Sequence, residues 1–303
     1  MTQESTGPGS ALMHLCAMTV DVEDFDTLAL RGYLGRSIKP RRAVIRGTHL
    51  LLERFAQFSA KATFFFLAEV AEAYPALVRS VVQGGHEIGV HGYSHRKFFN
   101  MRPSAAFHEV YKAKRLIEDI IGSEVKGHRA PAFSIGPDTA WAFEVLGRAG
   151  FSYDSSVMPF RGRRYGWPGF PERIQRIEIK NGLSLIEAPM PLMHFGGVQL
   201  PAGGGGYLRH FPYWYTTRAL KRVPSGQPII AYLHPYDVDT VSTYGDLHKH
   251  LRWSGIAQRL YLRLQYRNRH TMMPKLNRLM SDFKFTNLSH VIDQVVQNNM
   301  VGA

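Results

Sequence analysis

The chain has 303 residues, of which 45% are apolar, 20% charged and one is cysteine. These values, with a mean hydropathy of −0.19, exclude a disordered chain and a disulfide framework, and no apolar run reaches the ~18 residues of a spanning helix. A formal charge of +13 favours anionic partners: phosphorylated substrates, anionic lipid or nucleic acid.

Residues 1–13 are polar and rich in Gly, Pro and Ser, and read as a tail before one domain over 14–303. They lack the basic start and apolar stretch of an export signal. With the lone Cys16 this sets a cytoplasmic expectation, at most peripheral to the inner face of a membrane. LCAMTVDV (15–22) then predicts a buried strand. A helix over 42–58 follows, with Val44, Leu51, Leu52, Phe55 and Phe58 near helical spacing. KATFFFLA (61–68) predicts a second strand, 71–82 a helix stopped at Gly84-Gly85, and HEIGVHG (86–92) a third strand. Phe107, Val110, Ala113, Ile117 and Ile120 share a helical face that Gly122 ends. VKGHRAP (125–131) is a fourth strand, and 137–147 a helix with Pro137 in its first turn.

Repeated strand–helix units indicate parallel strands, and no glycine-rich phosphate loop follows the first strand. Beyond 155 the pattern changes. Asn181-Gly182 between alternating runs over 176–190 marks a hairpin, 228–238 returns to a buried strand with a polar end, and helices are expected over 249–268, 274–283 and 287–297. In the first of these, Arg259, Arg263 and Arg267 form a basic stripe beside an apolar face of Trp253, Ile256, Leu260 and Leu264. That face is expected to pack on the core. Contact with an anionic membrane is the alternative; nucleic acid is not expected, since no binding motif accompanies the charge.

Four strand ends carry polar residues a core would not select: Asp21, Glu23 and Asp24; His91 and His95; His128 and Arg129; His234 and Asp237. Parallel α/β folds gather the C-terminal strand ends on one face, where catalytic groups collect. His91 and His95 alone are equally ordinary polar residues at a strand end. His86 reads as structural at the strand start, His128 as facing away from Arg129, and Asp154 as fixing a loop. Four glycines at 203–206 imply either close backbone approach, as to a sugar ring, or a flexible loop.

TVDVED, KATFFFLAEVAE, GHEIGVHGYSH, RAPAFS, YDSS and LHP, in this order, resemble the polysaccharide deacetylase (NodB-homology) superfamily. PAGGGGYLRHFPYW (201–214) is similar to a glycine-rich block in the C-terminal extension of its exopolysaccharide-synthesis branch. The resemblance covers 15–290. It implies an α/β fold, a distorted (β/α)7-type barrel, here with a β-hairpin insertion and a C-terminal helical extension from about residue 200, and a divalent metal at its C-terminal face.

By the same resemblance, His91 and His95 match metal ligands, Asp21 the catalytic base, Arg129 the arginine that holds the base, and His234 the general acid. Valine stands at 22 where the superfamily pattern has a second aspartate. Asp24 is preferred as third ligand for its shorter carboxylate; Glu23, on the Asp21 face if the strand continues, is the alternative. Tyr93, Pro131, Phe133, Gly204 and Gly205 are candidate substrate contacts, with backbone N–H groups after Pro131 placed for an oxyanion. Zn2+ is the default ion, and Co2+, Ni2+ or Mn2+ suit the same ligand types. The expected function is removal of N-acetyl groups from a sugar, oligosaccharide or lipid-linked precursor in surface or exopolysaccharide synthesis. A deformylase or cyclic-amide hydrolase on the same fold is the alternative, and a carbohydrate-binding protein with a degenerate site a further one. Tyr236 and Asp237 depart from the tryptophan and glutamate more usual after the late histidine, which bears on substrate preference.

Overall fold

A computed structural model describes residues 15–35, 38–162, 166–224, 227–243 and 255–301, together with 245, 247 and 249. The predicted tail over 1–13 and residues 250–254 of the helix expected from 249, Trp253 among them, lie outside the described residues.

Seven strands run parallel in the spatial order β10 (Ile229–Leu233), β1 (Cys16–Val22), β2 (Thr63–Phe66), β3 (Glu87–Val90), β4 (Gly127–His128), β5 (Tyr153–Asp154) and β7 (Ser184–Glu187). β6 (Gln175–Glu178) adds antiparallel to β7, and β11 (Phe285–Thr286) pairs with the start of β1. The Asn181-Gly182 turn is present, both residues at positive φ (62° and 73°) as a type I′ connection needs. The hairpin is not an insertion, however. Its second strand is itself the last parallel strand, so it is built into the sheet. A second hairpin, β8 (Leu192–Phe195) with β9 (Val198–Pro201), follows it.

Period-two alternation sorts the strands between two cores. Met18, Val20, Val22, Phe64 and Phe66 face the helix layer. That layer includes α2 (Ala43–Gln57), α3 (Ala68–Ala73), α4 (Pro75–Gln83), α5 (Pro103–Ile121) and α6 (Ala142–Arg148). Ala17, Phe65, Tyr153 and Ile230 face the inside of the curved sheet. There they meet Leu288, Val291 and Ile292 of α12 (Leu288–Val301). The start of α12 is tied to the strand starts by Leu288 N to Thr63 Oγ1 (2.8 Å) and Ser289 N to Glu87 Oε2 (3.2 Å), which closes the N-terminal end. No described helix is long and apolar enough to cross a membrane.

Local chemistry explains the departures from expectation. The helix predicted over 71–82 is two, because Pro75 excludes its predecessor from helical geometry and Tyr74 sits at φ −136°, ψ 62°. Residues after Asp24 form α1 (Phe25–Leu34), and the glycine-rich block leads into α7 (Gly205–His210) and α8 (Tyr213–Leu220); none of these three has a clear apolar period. β10 ends at Leu233, because Pro235 opens the short α9 (Pro235–Val238). The basic helix α10 (Ile256–Tyr266) does not pack by its expected face. Ile256, Leu260 and Leu264 are 77%, 57% and 46% exposed, and the helix seats through Leu262 against Phe25, Leu30 and Leu247. Leu262 lies two residues from both Leu260 and Leu264, roughly 200° around the axis, so burying it turns the apolar row outward. The helix expected over 274–283 is α11 (Met272–Asp282), which buries Leu276 and Leu279 in the main core.

Candidate metal centre

Three side chains rise from β1 on one face at period two: Thr19, Asp21 and Glu23, the last just past the strand end. Asp21 is buried, and its Oδ1 accepts a hydrogen bond from Arg129 Nη1 at 3.0 Å. The same nitrogen donates to Thr19 Oγ1 at 2.7 Å. Arg129 Nε and Nη2 donate to the Ser155 carbonyl and hydroxyl, each at 3.0 Å. The guanidinium also lies 4.5 Å above the Phe65 ring. A fully buried cation is thus held by a carboxylate, two hydroxyls, a carbonyl and a ring face, which is what burial of a charge requires.

His91 leaves the end of β3 and His95 sits on the turn after it. Gly92 takes φ 77°, and a Cβ there would lie 3.2 Å from Pro131 Cγ. His95 itself is held at φ 62°, a strained value for a histidine that brings its ring back over the strand end. The ring centroids are 5.5 Å apart. His91 Nδ1 donates to the Arg129 carbonyl at 2.9 Å, which orients the ring so that Nε2 faces Glu23.

Glu23 completes the group. Its Oε2 is 2.9 Å from His95 Nε2 and 3.7 Å from His91 Nε2. One ligand atom from each of Glu23, His91 and His95 lies within 4.8 Å of the others. Burial pushes the Glu23 carboxyl up, but the charge of His95, hydrogen bonds from His91 and His95, and the charge of His234 outweigh it and hold the group well below the usual carboxylate range. The donor set, two imidazoles and an ionised carboxylate with a second partner on His91, fits a divalent cation.

Asp24 is not at this centre. Its Oδ2 accepts from Thr27 Oγ1 at 2.5 Å and from the Arg41 N–H at 2.6 Å, and burial raises its pKa. The chain leaves β1 and enters α1 at Asp24, so its carboxylate turns away to the Thr27 hydroxyl and the Arg41 N–H and ties down the segment around Arg41. The preference for Asp24 as third ligand is therefore corrected to Glu23.

His234 faces the same group from β10, with Nε2 3.8 Å from Glu23 Oε1. Its Nδ1 and its backbone N–H both meet Asp237 Oδ2, at 3.1 and 2.9 Å, while Asp237 Oδ1 pairs with the buried Arg209. Burial lowers the His234 pKa, but Asp237, Glu23 and Asp21 together raise it to about 9. Tyr236 stacks on the imidazole at 4.6 Å. Asp237, singled out above as the strand-end acid beside His234, is here the partner of that imidazole, while Thr19, Ser155 and Arg209 are given no role by the sequence; period two from Asp21 is the signal for Thr19.

The predicted substrate contacts scatter. Tyr93 is half-buried, donating to Glu72 at 2.8 Å under the Lys112 ammonium. Pro131 and Phe133 are buried, and Ala132 and Phe133 both have positive φ beside Arg129. Gly204 and Gly205 do not face open space. The glycine block lies on β10, Gly203 accepting from Tyr232 N at 2.7 Å. A Cβ on Gly204 would sit 2.8 Å from the Tyr232 hydroxyl, and one on Gly205 2.5 Å from Asp237 Oδ2. Their smallness serves this close approach. His86 is structural, accepting from Ala62 N at 3.2 Å, and His128 turns to Asp154 at 2.7 Å.

Residues 46–151 match the family described as polysaccharide deacetylase, and residues 155–293 match a domain of unknown function, DUF3473. A Helicobacter pylori protein named peptidoglycan deacetylase is 32% identical over 112 residues, 37% of this chain and 37% of its own length. Matches to curated relatives span less than half of each relative's length. Two solved structures share the fold. One, from Mycobacterium smegmatis, is classed with the polysaccharide deacetylases, with TM-score 0.57 and 17% identity over 97% of this chain and 94% of its own. The other, from Pseudomonas aeruginosa PAO1 and classed likewise, has TM-score 0.58 and 15% identity over 93% and 90%.

Proposed function

We propose that this chain, which carries a polysaccharide deacetylase domain, is a metal-dependent hydrolase that removes N-acetyl groups from an N-acetylated sugar or oligosaccharide. The observation that carries this is the convergence of Glu23, His91 and His95 on one point, with half-buried His234 3.8 Å from Glu23 and Asp21, clamped by Arg129, two residues before Glu23 on the same face of β1. Glu23, His91 and His95 would hold the ion. When bound, a divalent cation of this kind polarises the amide carbonyl and acidifies water, and Zn2+ is the default, with Co2+, Ni2+ and Mn2+ admitted by the ligand types.

The protein's own groups divide the proton work. Asp21 takes the proton from the attacking water, and Arg129 holds that carboxylate in place and aimed. His234, charged at neutral pH, gives a proton to the departing amine from the other side of the group. Asp237 holds Nδ1 of that imidazole, so Nε2 is the atom that faces the reaction. Arg209 occupies the other oxygen of Asp237 and keeps it in place.

We extend the substrate to a lipid-linked or otherwise anionic glycan precursor in surface or exopolysaccharide synthesis. The +13 charge and the glycine-rich block at 201–214 support this. The test is to incubate the purified chain with N-acetylated and N-formylated oligosaccharides and with a cyclic amide, with and without a chelator. Chelator-sensitive acetate release is expected. Formate or ring-opened product without acetate would favour the alternative C–N hydrolase, and no turnover in metal-loaded protein would leave a binding protein.

A further inference from the structure

The helix α10 carries isoleucine, leucine, arginine and tyrosine but no acidic residue. Ile256, Leu260 and Leu264 recur every four residues and form a row along its outer side, 77%, 57% and 46% exposed. Arg263 and Arg267, also exposed, stand three residues beyond Leu260 and Leu264 and so flank the row. Leu260, Arg263, Leu264, Tyr266 and Arg267 line a groove of ≈ 670 Å³. Three large aliphatic side chains left largely in water on one short helix forgo the burial that stabilises such groups in a core. Their neighbours are cationic, as on helices that lie in the plane of an anionic bilayer.

The helix is not loosely attached. Leu262 is 4% exposed in a cluster with Phe25 and Leu30, and the Tyr266 hydroxyl donates to Asp26. Gln265 accepts from Arg209 at 3.0 Å, and Arg209 in turn holds Asp237 beneath His234. The outward row is therefore presented by a rigid mount joined to the candidate site, and its direction is set by packing.

We propose that the outer face of α10 docks on an anionic phospholipid surface, with Ile256, Leu260 and Leu264 entering the headgroup–acyl boundary and Arg263 and Arg267 meeting lipid phosphates. Such docking is independent of the reaction the site performs. An arginine near an anionic membrane contributes about fivefold in affinity, so losing two costs about 25-fold.

The experiment is co-sedimentation of the full chain with vesicles of phosphatidylcholine alone and of phosphatidylcholine with phosphatidylglycerol. Binding is expected only to the second, weakening with salt. Arg263→Gln with Arg267→Gln should weaken it about 25-fold. Leu260→Gln with Leu264→Gln should weaken it at least tenfold. Both variants should keep the parent's thermal midpoint, since none of the four side chains is buried. If the variants unfold early, Ile256→Ser, at the most exposed of the positions, gives the same reading. Absence of binding to phosphatidylglycerol vesicles, or equal binding by every variant, would overturn the proposal. So would a concentration-dependent dimer that Leu260→Gln with Leu264→Gln dissociates, for a second copy would then cover the row.

Discussion

His91 Nδ1 lies 2.9 Å from the carbonyl oxygen of Arg129, so the residue that grips Asp21 through its side chain orients a histidine through its backbone. The proposed base and one proposed ligand are thereby set by one residue at the end of one short strand. A shift of β4 would misplace both, which is why Arg129 N is itself fixed to the Val90 carbonyl at 2.8 Å and Ala130 N to Ser156 Oγ at 2.7 Å.

The division of labour between the adjacent acids gives a first prediction. Glu23→Gln should abolish tight divalent-metal binding, measured as bound metal after dialysis, with the fold intact. Asp24→Asn should keep the metal and lose about 1–2 kcal/mol of stability by denaturant titration, through its weakened bonds to Thr27 and Arg41. Metal retained by Glu23→Gln and lost by Asp24→Asn would reverse the assignment.

A second prediction concerns pH. His234 is raised to about 9 from an ordinary value near 6.5, with Asp237 the largest of the raising influences. It therefore stays protonated as pH climbs past 6.5, and loses its proton, and with it acid assistance to the leaving amine, through about 9. The pair's contribution to stability is likewise full below about 6.5 and lost as pH rises through about 9. In Asp237→Asn the alkaline limb of kcat/KM should move toward 6.5. A limb unmoved in that variant would show that Asp237 does not set the proton affinity of His234.

Neighbouring glycines make a third prediction of opposite signs. A methyl on Gly205 would meet Asp237 Oδ2 and the Leu233 backbone, whereas one on Gly206 would meet nothing within 4 Å. Gly205→Ala should cost about 1–3 kcal/mol and reduce activity. Gly206→Ala, in the helix α7, should be neutral or stabilising by about 0.4–1 kcal/mol and leave kcat unchanged. Equal effects at both positions would show that the block does not press on β10.

Glu187 offers a fourth. It is fully buried, with Oε1 accepting from the N–H groups of Ser156 and Val157. Burial first, and then Asp154, push its pKa well above the carboxylate range. The folded state therefore favours the protonated acid. Its contribution is full below the ordinary value of about 4.3 and declines as pH rises from there toward the raised folded value. Glu187→Gln should flatten the fall in thermal midpoint with rising pH. An unchanged slope would mean that another group sets it.

The parallel strands and the polar residues at their ends are legible in the sequence because alternation and strand-end chemistry are local. Asp21, His91, His95, Arg129 and His234 do meet at one end of the sheet, as those strand ends suggest. Glu23 and Asp24 cannot be separated without knowing where β1 stops. Period two carries Glu23 onto the Asp21 face, while the turn into α1 takes Asp24 away, and only the position of that turn decides. The glycine block reads equally as loop or close approach until β10 is seen beneath it. Periodicity alone points the apolar row of α10 inward, because Leu262, a single buried residue on the other face, has no periodic signal of its own.

The central claim is that Asp21 is the base beside a metal held by Glu23, His91 and His95. The most direct test is acetate release by Asp21→Asn on an N-acetylated oligosaccharide, with bound metal measured on the same sample. Full metal occupancy, an unchanged fold and a rate reduced about 10²–10⁴-fold are expected. Parent-level activity in metal-loaded Asp21→Asn would contradict the claim.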